Sequence, residues 1–525
     1  MLQTQEKIIG IDLGTTYSEV AIFDENSRRA KCFIVGQGIY TLASAIFFPE
    51  DGSNLAVGDI AVHNAVKNPD RFVSHFKRVM GDQSWRFMDT YSPEMLSSFV
   101  LKKLKECAEK GLANTPVNKA VITVPACFGY PEREATIKAA ELAGLEVVNI
   151  LEEPIAAVRA YFLEHWKLLE NKNILVFDLG GGTLDVTLVQ SMSKTNDDGT
   201  KKINIKVLGK NPGGRELGGR DFNKALEDYA LDKFRLDHQL DLSIDPLSLH
   251  KLRGEIEQAK RFLSEMTSCD IVAENKTITV TLDDFNGLTK NLLMKAMAIV
   301  DDVMNVAAEK HNINWNGINA ILLVGGSTRM PQVKDTLRQK CPNQLPILEM
   351  DVDLAVAHGA AIDAYIKKGG HLELLDPDTG DYIECDFEPF EENYGNAVGI
   401  LAWNVKNPQD HFIENVVIVP NGTEYGKMIP YDELGVHEDH KNLEFKISDG
   451  NIPIKTKSID EAVHALLGTA VIEFEDLSVV RKNDDVHIVL GYDHNGIIVG
   501  EGTHVKTGKS VKISIAPSPS KKYQI

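Results

Sequence analysis

Two stretches of the chain set an aspartate directly before a run of small residues: Ile8-Ile-Gly-Ile-Asp-Leu-Gly-Thr-Thr-Tyr-Ser-Glu-Val20 and Ile174-Leu-Val-Phe-Asp-Leu-Gly-Gly-Gly-Thr-Leu-Asp-Val186. They align without a gap, and each reads as strand, Asp-Leu-Gly turn, strand. An aspartate ending a buried strand presents its carboxylate into a cleft, while small residues beside it let backbone N–H groups approach phosphate oxygens. Two facing copies would grip one polyphosphate, with Asp12 and Asp178 orienting water around Mg²⁺, an ion that keeps several waters and takes few direct carboxylates. Either copy alone fits an ordinary hairpin whose aspartate caps a turn. A third segment, Ile321-Leu-Leu-Val-Gly-Gly-Ser-Thr-Arg329, again puts glycines after an apolar strand and could close over a nucleoside, although any tight strand-to-helix turn uses Gly-Gly.

The elements that must hold these turns alternate in type. From Lys7 to about Lys368, short β-branched runs exchange with amphipathic helical stretches, which argues for α/β architecture in a first domain, residues 1–368. Lys119 to Pro125 reads as a strand, Pro131 to Ala143 as a helix and Gly144 to Ile150 as the next strand. Glu153-Pro154 then opens another helix with proline in its first turn. After Gly369-Gly370, the segment His371-Leu-Glu-Leu-Leu-Asp-Pro377 leads into a stretch rich in acids, from Asp378 to Glu392, so residues 369–393 read as linker and surface loop. From about Tyr394 helical periodicity vanishes. Asn415 to Val419, Leu443 to Ile447, Ala470 to Phe474, Val486 to Leu490, Gly496 to Gly500 and Val511 to Ile515 read as strands of a small all-β domain, residues 394–516, before a tail at 517–525.

A chain of 525 residues exceeds one hydrophobic core. Its 43% hydrophobic and 25% charged residues are ordinary for a globular protein, and no apolar run approaches the ~20 residues of a membrane span. Met1 to Lys7 is polar and Asp12 breaks the apolar stretch that follows, so a cytoplasmic location and no membrane partner are expected. The cysteines, at 32, 107, 127, 269, 341 and 385, are scattered and form no CxxC pair for zinc or redox work. A formal charge of −20 opposes the phosphate backbone, which argues against nucleic acid as a partner. It does not oppose ATP, because local N–H groups and a magnesium ion hold the phosphates.

With Glu153-Pro154, the three glycine-rich segments resemble the nucleotide signature of the actin-like ATPase superfamily, and their wording is similar to that of the heat shock protein 70 (DnaK) family. Val121-Ile-Thr-Val-Pro125, Leu217-Gly-Gly-Arg-Asp-Phe222 and Glu257-Gln-Ala-Lys-Arg-Phe-Leu-Ser264 follow in the order of that family. The resemblance implies an actin-like fold of two duplicated, ribonuclease-H-like lobes followed by a β-sandwich. It implies that Gly14, Thr15, Thr16 and Tyr17 face Gly180, Gly181 and Gly182 around the phosphates of ATP or ADP, with Thr183 near the γ-phosphate. Lys77 matches the lysine that neutralises developing charge and helps to place the attacking water, and Glu153 the carboxylate beside the metal waters. Asp12, Asp178, Glu153 and Asp185 form the implied metal set, for Mg²⁺ and, at Asp185, a monovalent cation such as K⁺. Glu257, Lys260, Arg261 and Ser264, spaced along one helix face, match the adenosine site, with the Arg261 plane stacking on the base. Gly218, Gly219, Gly325, Gly326, Ser327 and Arg329 complete the nucleotide set, and Asp353 resembles the acid at the ribose end.

For the second domain the resemblance implies a peptide binder that holds an extended, unfolded client segment by main-chain hydrogen bonds, one apolar side chain filling a pocket. Ile400, Trp403 and Phe445 are the pocket candidates, and equally residues that strand alternation would bury in a sandwich core. A J-domain co-chaperone and a nucleotide exchange factor are the further implied partners. Only Ala516 to Ile525 follow the last expected strand, so the helical lid of the family is expected to be absent and peptide release fast. Arg220 stands where the family has an acid and His358 where it has tyrosine. The implied activity is ATP hydrolysis that controls peptide affinity; the alternatives are an ATP-binding co-chaperone or exchange scaffold with little hydrolysis, and a sugar kinase of the same superfamily fold.

Overall fold

A computed structural model describes residues 7–36, 38–52, 54–66, 68–210, 217–341, 345–349, 351–388, 393–394, 398–404, 412–419, 423–424, 427–436, 442–449, 455–456, 466–474, 482, 484–492 and 498–514. The chain divides into two compact units. The first holds Met1–Met80, Arg86–Cys127 and Thr136–Phe390; the second holds Gly81–Trp85, Phe128–Ala135 and Glu391–Ile525.

The first unit contains two sheets with one plan. In the first sheet Arg29–Cys32, Tyr17–Asp24, Ile8–Asp12, Lys119–Val124 and Glu146–Glu152 lie side by side in that order. In the second, Lys201–Lys210, Leu184–Thr195, Asn173–Leu179, Ala320–Val324 and Ile347–Glu349 repeat it. In both, an antiparallel hairpin leads and two parallel strands follow. The register repeats as well: Asp12 lies opposite Glu19 in one hairpin and Asp178 opposite Asp185 in the other. Strands buried on both faces explain why Ile174-Leu-Val-Phe reads as a continuous apolar run.

Two helices, Glu153–Leu169 and Ala355–Lys367, pack into this core. Proline in its first turn and an extended Glu152 start the former cleanly. Small residues let the pair approach, since a Cβ on Gly359 would strike the Ala156 carbonyl. Arg159 and Asp363, both buried, form an ion pair across the two helices, and the Asn149 amide donates to the same carboxylate at 2.7 Å. A buried charge left alone would be costly, so these polar groups fix the crossing. On the other face of the second sheet, helices Gly219–His238, Pro246–Phe262 and Leu282–His311 bury Phe222, Phe234, Ile256, Phe285 and Val300 in a second core. Thr281 starts the longest of these through a reciprocal capping box with Asp284.

The segment read as linker and acidic loop departs from that expectation. Leu372–Leu375 and Tyr382–Phe387 form an antiparallel hairpin whose second strand pairs parallel with Lys201–Lys210, extending the second sheet to seven strands. Leu372, Leu374, Cys385 and Phe387 turn inward and join the core, while the acids of the same stretch lie on the outer positions. Alternation, not average composition, decides the fold here. Lys167 pairs with Asp376 and Asp378, and the Trp166 indole N–H donates to the Leu375 carbonyl at 3.0 Å.

The second unit contains a β-sandwich. Lys455–Thr456, Phe412–Val419, Val398–Asn404, Asn442–Asp449 and Leu466–Glu473 form one sheet; Met428–Gly435, Asp485–Tyr492, Ile498–His504 and Lys509–Ser514 form the other. Their inner faces meet through Ile400, Phe445, Ile447, Ile488, Leu490, Ile498 and Ile513. The strand Met428–Gly435, absent from the sequence reading, carries Pro430 and the exposed pair Asp432 and Glu433, where a register shift between Tyr431 and Leu434 breaks its alternation. Among the described residues no helix is long and apolar enough to cross a membrane.

The helix crossing yields a paired prediction. Gly359→Val should destabilise the protein by about 1–3 kcal/mol through overpacking against Ala156. Gly254→Ala, in an exposed helical position with open space around its Cβ, should stabilise it by about 0.5–1 kcal/mol. Thermal unfolding of both variants checks the pair, and equal effects would contradict the crossing geometry.

Candidate active site

The two Asp-Leu-Gly turns meet in one cleft of the first unit. Asp12 ends its strand and accepts a 2.8 Å hydrogen bond from the Thr123 hydroxyl; Asp178 lies near the end of the equivalent strand. Lys77 sits in a short turn, Phe76–Val79, that starts from His75 in a left-handed conformation (φ 60°). It reaches Glu153, the first residue of its helix, at 2.7 Å. Lys77 is 4% exposed, Asp178 7%, Glu153 8% and Asp185 1%, so the group is withdrawn from bulk water.

Electrostatics follow from that withdrawal. Burial, then the Glu153 charge, pushes the Asp12 carboxyl up to about 7, against the pull of Lys77. Burial and Glu153 likewise push Asp185 up to about 7, and Asp178 is raised well above the ordinary range by burial, Glu153 and Asp185. For Lys77, burial alone would favour the neutral amine, but Glu153, Asp12 and Asp185 outweigh it and raise its pKa. One ammonium therefore faces the carboxyls of Asp12, Glu153, Asp178 and Asp185. Apart from the weak thiol donor of Cys127, the Asp185 oxygens meet no hydrogen-bond partner among the described residues. Such a cluster is short of positive charge, and a dication fits it. Among the described residues no three Asp, Glu, His or Cys side chains converge tightly enough to chelate a bare ion.

Above the acids the glycine turns face each other. A Cβ on Gly181 would strike the Thr16 hydroxyl, and one on Gly182 would strike Thr15, so only glycine permits this approach. Gly180 and Gly181 carbonyls accept the N–H groups of Gly219 and Arg220 at 2.9 Å each, and Gly218 packs on Gly182. The Ser327 hydroxyl donates to the Gly180 carbonyl at 3.0 Å, while Gly325 lies against Leu179 and Asp178. Thr183, half-exposed, accepts the Gly180 N–H through its carbonyl at 3.0 Å. Gly14 accepts a hydrogen bond from the Ser44 hydroxyl at 2.7 Å.

At the open end Glu257 gathers Lys260 at 2.8 Å, Arg261 at 3.0 Å and the Asn223 amide at 2.7 Å. Arg261 also donates to the Tyr17 hydroxyl at 2.9 Å and so ties the helix of one lobe to the hairpin of the other. Arg329 pairs with Asp353 at 2.7 Å, beside Gly326. Ser264 lies just past the helix end at Phe262, in a tightened last turn, and its hydroxyl bonds back to the Lys260 carbonyl at 3.3 Å.

The chain matches the family of Hsp70 proteins over residues 8–89 and 84–379, more than half its length. It belongs to the Hsp70 family. Its fold is accordingly the actin-like ATPase fold followed by a β-sandwich, and Hsp70 proteins are in general ATPases that bind ATP or ADP with Mg²⁺ and act as chaperones. Two neighbours of the Hsp70 site were not read from the sequence. Arg78 donates to the Gly182 carbonyl at 2.9 and 2.6 Å and pairs with Asp221 at 2.8 Å. Glu19, 3% exposed, hydrogen bonds Asp12 and is raised well above the usual range by burial and by the Asp12 charge. The gap-free hairpin alignment contained that second signal, because it places Glu19 on Asp185.

The pocket candidates of the second unit are placed differently. Ile400 and Phe445 are buried between the two sheets of the sandwich, Phe445 directly against Gly502, which makes them core residues and not walls of an open pocket. Strand alternation turns both to the inner face. The Trp403 side chain lies outside the described residues.

A raised carboxyl must lose its proton before it can serve a cation. Affinity for Mg²⁺-nucleotide should therefore rise as pH increases through about 7, where Asp12 and Asp185 deprotonate, and level off above it. Titration of fluorescent ADP with Mg²⁺ between pH 6 and 8 checks this; tighter binding at the acid end would contradict it.

Proposed function

We propose that this chain is an ATP-dependent molecular chaperone that hydrolyses ATP to ADP and phosphate to control the binding and release of extended peptide segments. The observation that carries this reading is the single acidic cluster around Lys77 beneath two facing glycine turns. Asp12, Asp178 and Asp185, with Glu153, would hold hydrated Mg²⁺, which when bound neutralises phosphate charge. A monovalent cation such as K⁺ would sit by Asp185. The backbone N–H groups of the glycine turns orient the phosphates, and the Lys77 ammonium, fixed by Glu153, meets the charge that develops as the terminal phosphate departs. Thr183 stands at the turn beside that phosphate, and Glu257, Lys260 and Arg261 hold the nucleoside end.

The sandwich unit would bind its client by adding an extended segment to a sheet edge, with a J-domain co-chaperone and an exchange factor as regulators. An ATP-binding scaffold that barely hydrolyses is the competing reading, and single-turnover hydrolysis of labelled ATP separates them. Asp178→Asn should keep nucleotide binding within a few-fold and lose turnover by about 100-fold or more. Unchanged turnover in that variant would remove the catalytic assignment. Steady-state turnover should also rise with added unfolded peptide, and peptide affinity should differ between ATP and ADP; indifference in both would leave the chaperone coupling without support.

A further inference from the structure

The cleft is polar along its length. Its floor carries Asp12, Glu153, Asp178 and Asp185 against Lys77, whereas its rim beyond Gly182 carries the opposite excess. There Arg78, Arg220 and Arg253 lie near one another, with Lys260 and Arg261 further along the rim, and the acids among them are Asp221, Glu227 and Glu257: five cations to three anions. All three acids are already committed, Glu227 to Arg253 at 2.8 Å. Asp221 takes Arg78 at 2.8 Å and the Gly218 N–H at 2.7 Å, and Glu257 takes Lys260, Arg261 and Asn223.

Arg220 is the cation this arrangement leaves over. Its own N–H is bonded to the Gly181 carbonyl at 2.9 Å, which anchors the residue on the glycine turn itself. Its guanidinium makes no hydrogen bond or ion pair among the described residues. Arg220 is exposed at the surface, yet partial burial and the Arg78 charge both work against its protonated form, and the same two arginines with burial drive His75 down to about 4. Like charges held together on a rigid turn cost free energy unless an anion lies between them. Arg78 is fixed by the Gly182 carbonyl and Asp221, so it cannot swing away. His75, left-handed at φ 60° and bonded to the Ser74 hydroxyl at 2.7 Å, lies near them and stays neutral at physiological pH.

We infer that Arg220, with Arg78, forms an anion seat at the rim of the cleft that receives inorganic phosphate, on the far side of Gly182 from the acidic floor. The guanidinium fork suits a tetrahedral oxyanion, which can take two donors from one arginine and one from the next. This deepens the ATPase reading and rests on it for the origin of the phosphate. A product held at the rim leaves the floor slowly and in one direction, away from the carboxylates that repel it. Arg220 would then govern product release, not the bond cleavage itself.

Inorganic phosphate titrated calorimetrically into the full chain tests the seat, once without nucleotide and once with ADP and Mg²⁺ bound. Saturable binding is expected in both arms, weakened about tenfold or more by Arg220→Glu and partly restored by Arg220→Lys. Should Arg220→Glu fail to fold, as judged by its melting temperature, Arg220→Gln, uncharged and of similar length, gives the same reading. Wild-type affinity for phosphate in the charge-removed variants would overturn the inference, and so would absence of phosphate binding to the wild-type protein. Failure of the wild-type chain to bind ADP in the same titrations would instead count against the ATPase reading, and the nucleotide-free arm still judges the seat.

Discussion

Uncompensated negative charge, withdrawn from water and set around one lysine, is the constraint on which the rest of the first unit depends. Four carboxyls surround Lys77, and burial with their mutual repulsion raises Asp12, Asp178 and Asp185 above the ordinary range. Every surrounding device holds that cluster in place: the paired strands that end at the aspartates, the helix that begins at Glu153, and the short turn that delivers Lys77. A fold built only for stability would place apolar residues there. That it sets repelling acids at buried positions marks the cluster as a candidate functional site.

Duplication is the economical way to build it. One hairpin supplies Asp12 with Glu19 across the ladder, and its copy supplies Asp178 with Asp185, so a single strand register solved the placement problem twice. The copies then diverged in their environments. Glu19 hydrogen bonds Asp12, while the Asp185 oxygens face little besides the Cys127 thiol. Equivalent positions therefore offer different chemistry, one a paired acid and the other an open one.

Much of this was legible in the sequence, for identifiable reasons. The glycine turns could be read because few residue types allow two backbones to approach a phosphate, and Gly181 and Gly182 do press on Thr16 and Thr15. Six strands of the β-rich half were located by alternation, although the ends of two, from Gly496 and at Ile515, lie outside the described residues. What composition obscured was any element whose surface face dominates the count. The acids of residues 369–393 outnumber the inward Leu372, Leu374, Cys385 and Phe387, so a sheet hairpin looked like a loop. Ser264 was placed on a helix by spacing alone, which carries no information on where the last turn tightens. Arg78 was overlooked since a lone arginine beside a singled-out lysine has no pattern of its own; its role exists only through the Gly182 carbonyl, distant in sequence. Ile400 and Phe445 show the complementary limit, because alternation reports that a side chain is inward without saying whether the inner face is a core or a pocket.

The same cluster links ligand and fold. A carboxyl whose folded pKa lies near 7 keeps its proton over a range in which the unfolded chain has released it, so the folded state binds more protons from about pH 4 to 7 and loses stability as pH rises through that window. A bound dication reverses the balance by favouring the ionised acids, and anything that binds only the folded state stabilises it in proportion to its occupancy. A nucleotide with its metal, as Hsp70 proteins in general bind, would then add to the stability of the fold around this cluster. Arg261 to Tyr17 and Arg78 to Gly182 tie the elements around the site directly, and charge bound between them would add to that attraction. A cleft held shut by stronger direct contacts would gain rigidity and lose the dependence on its ligand that makes a nucleotide cycle useful.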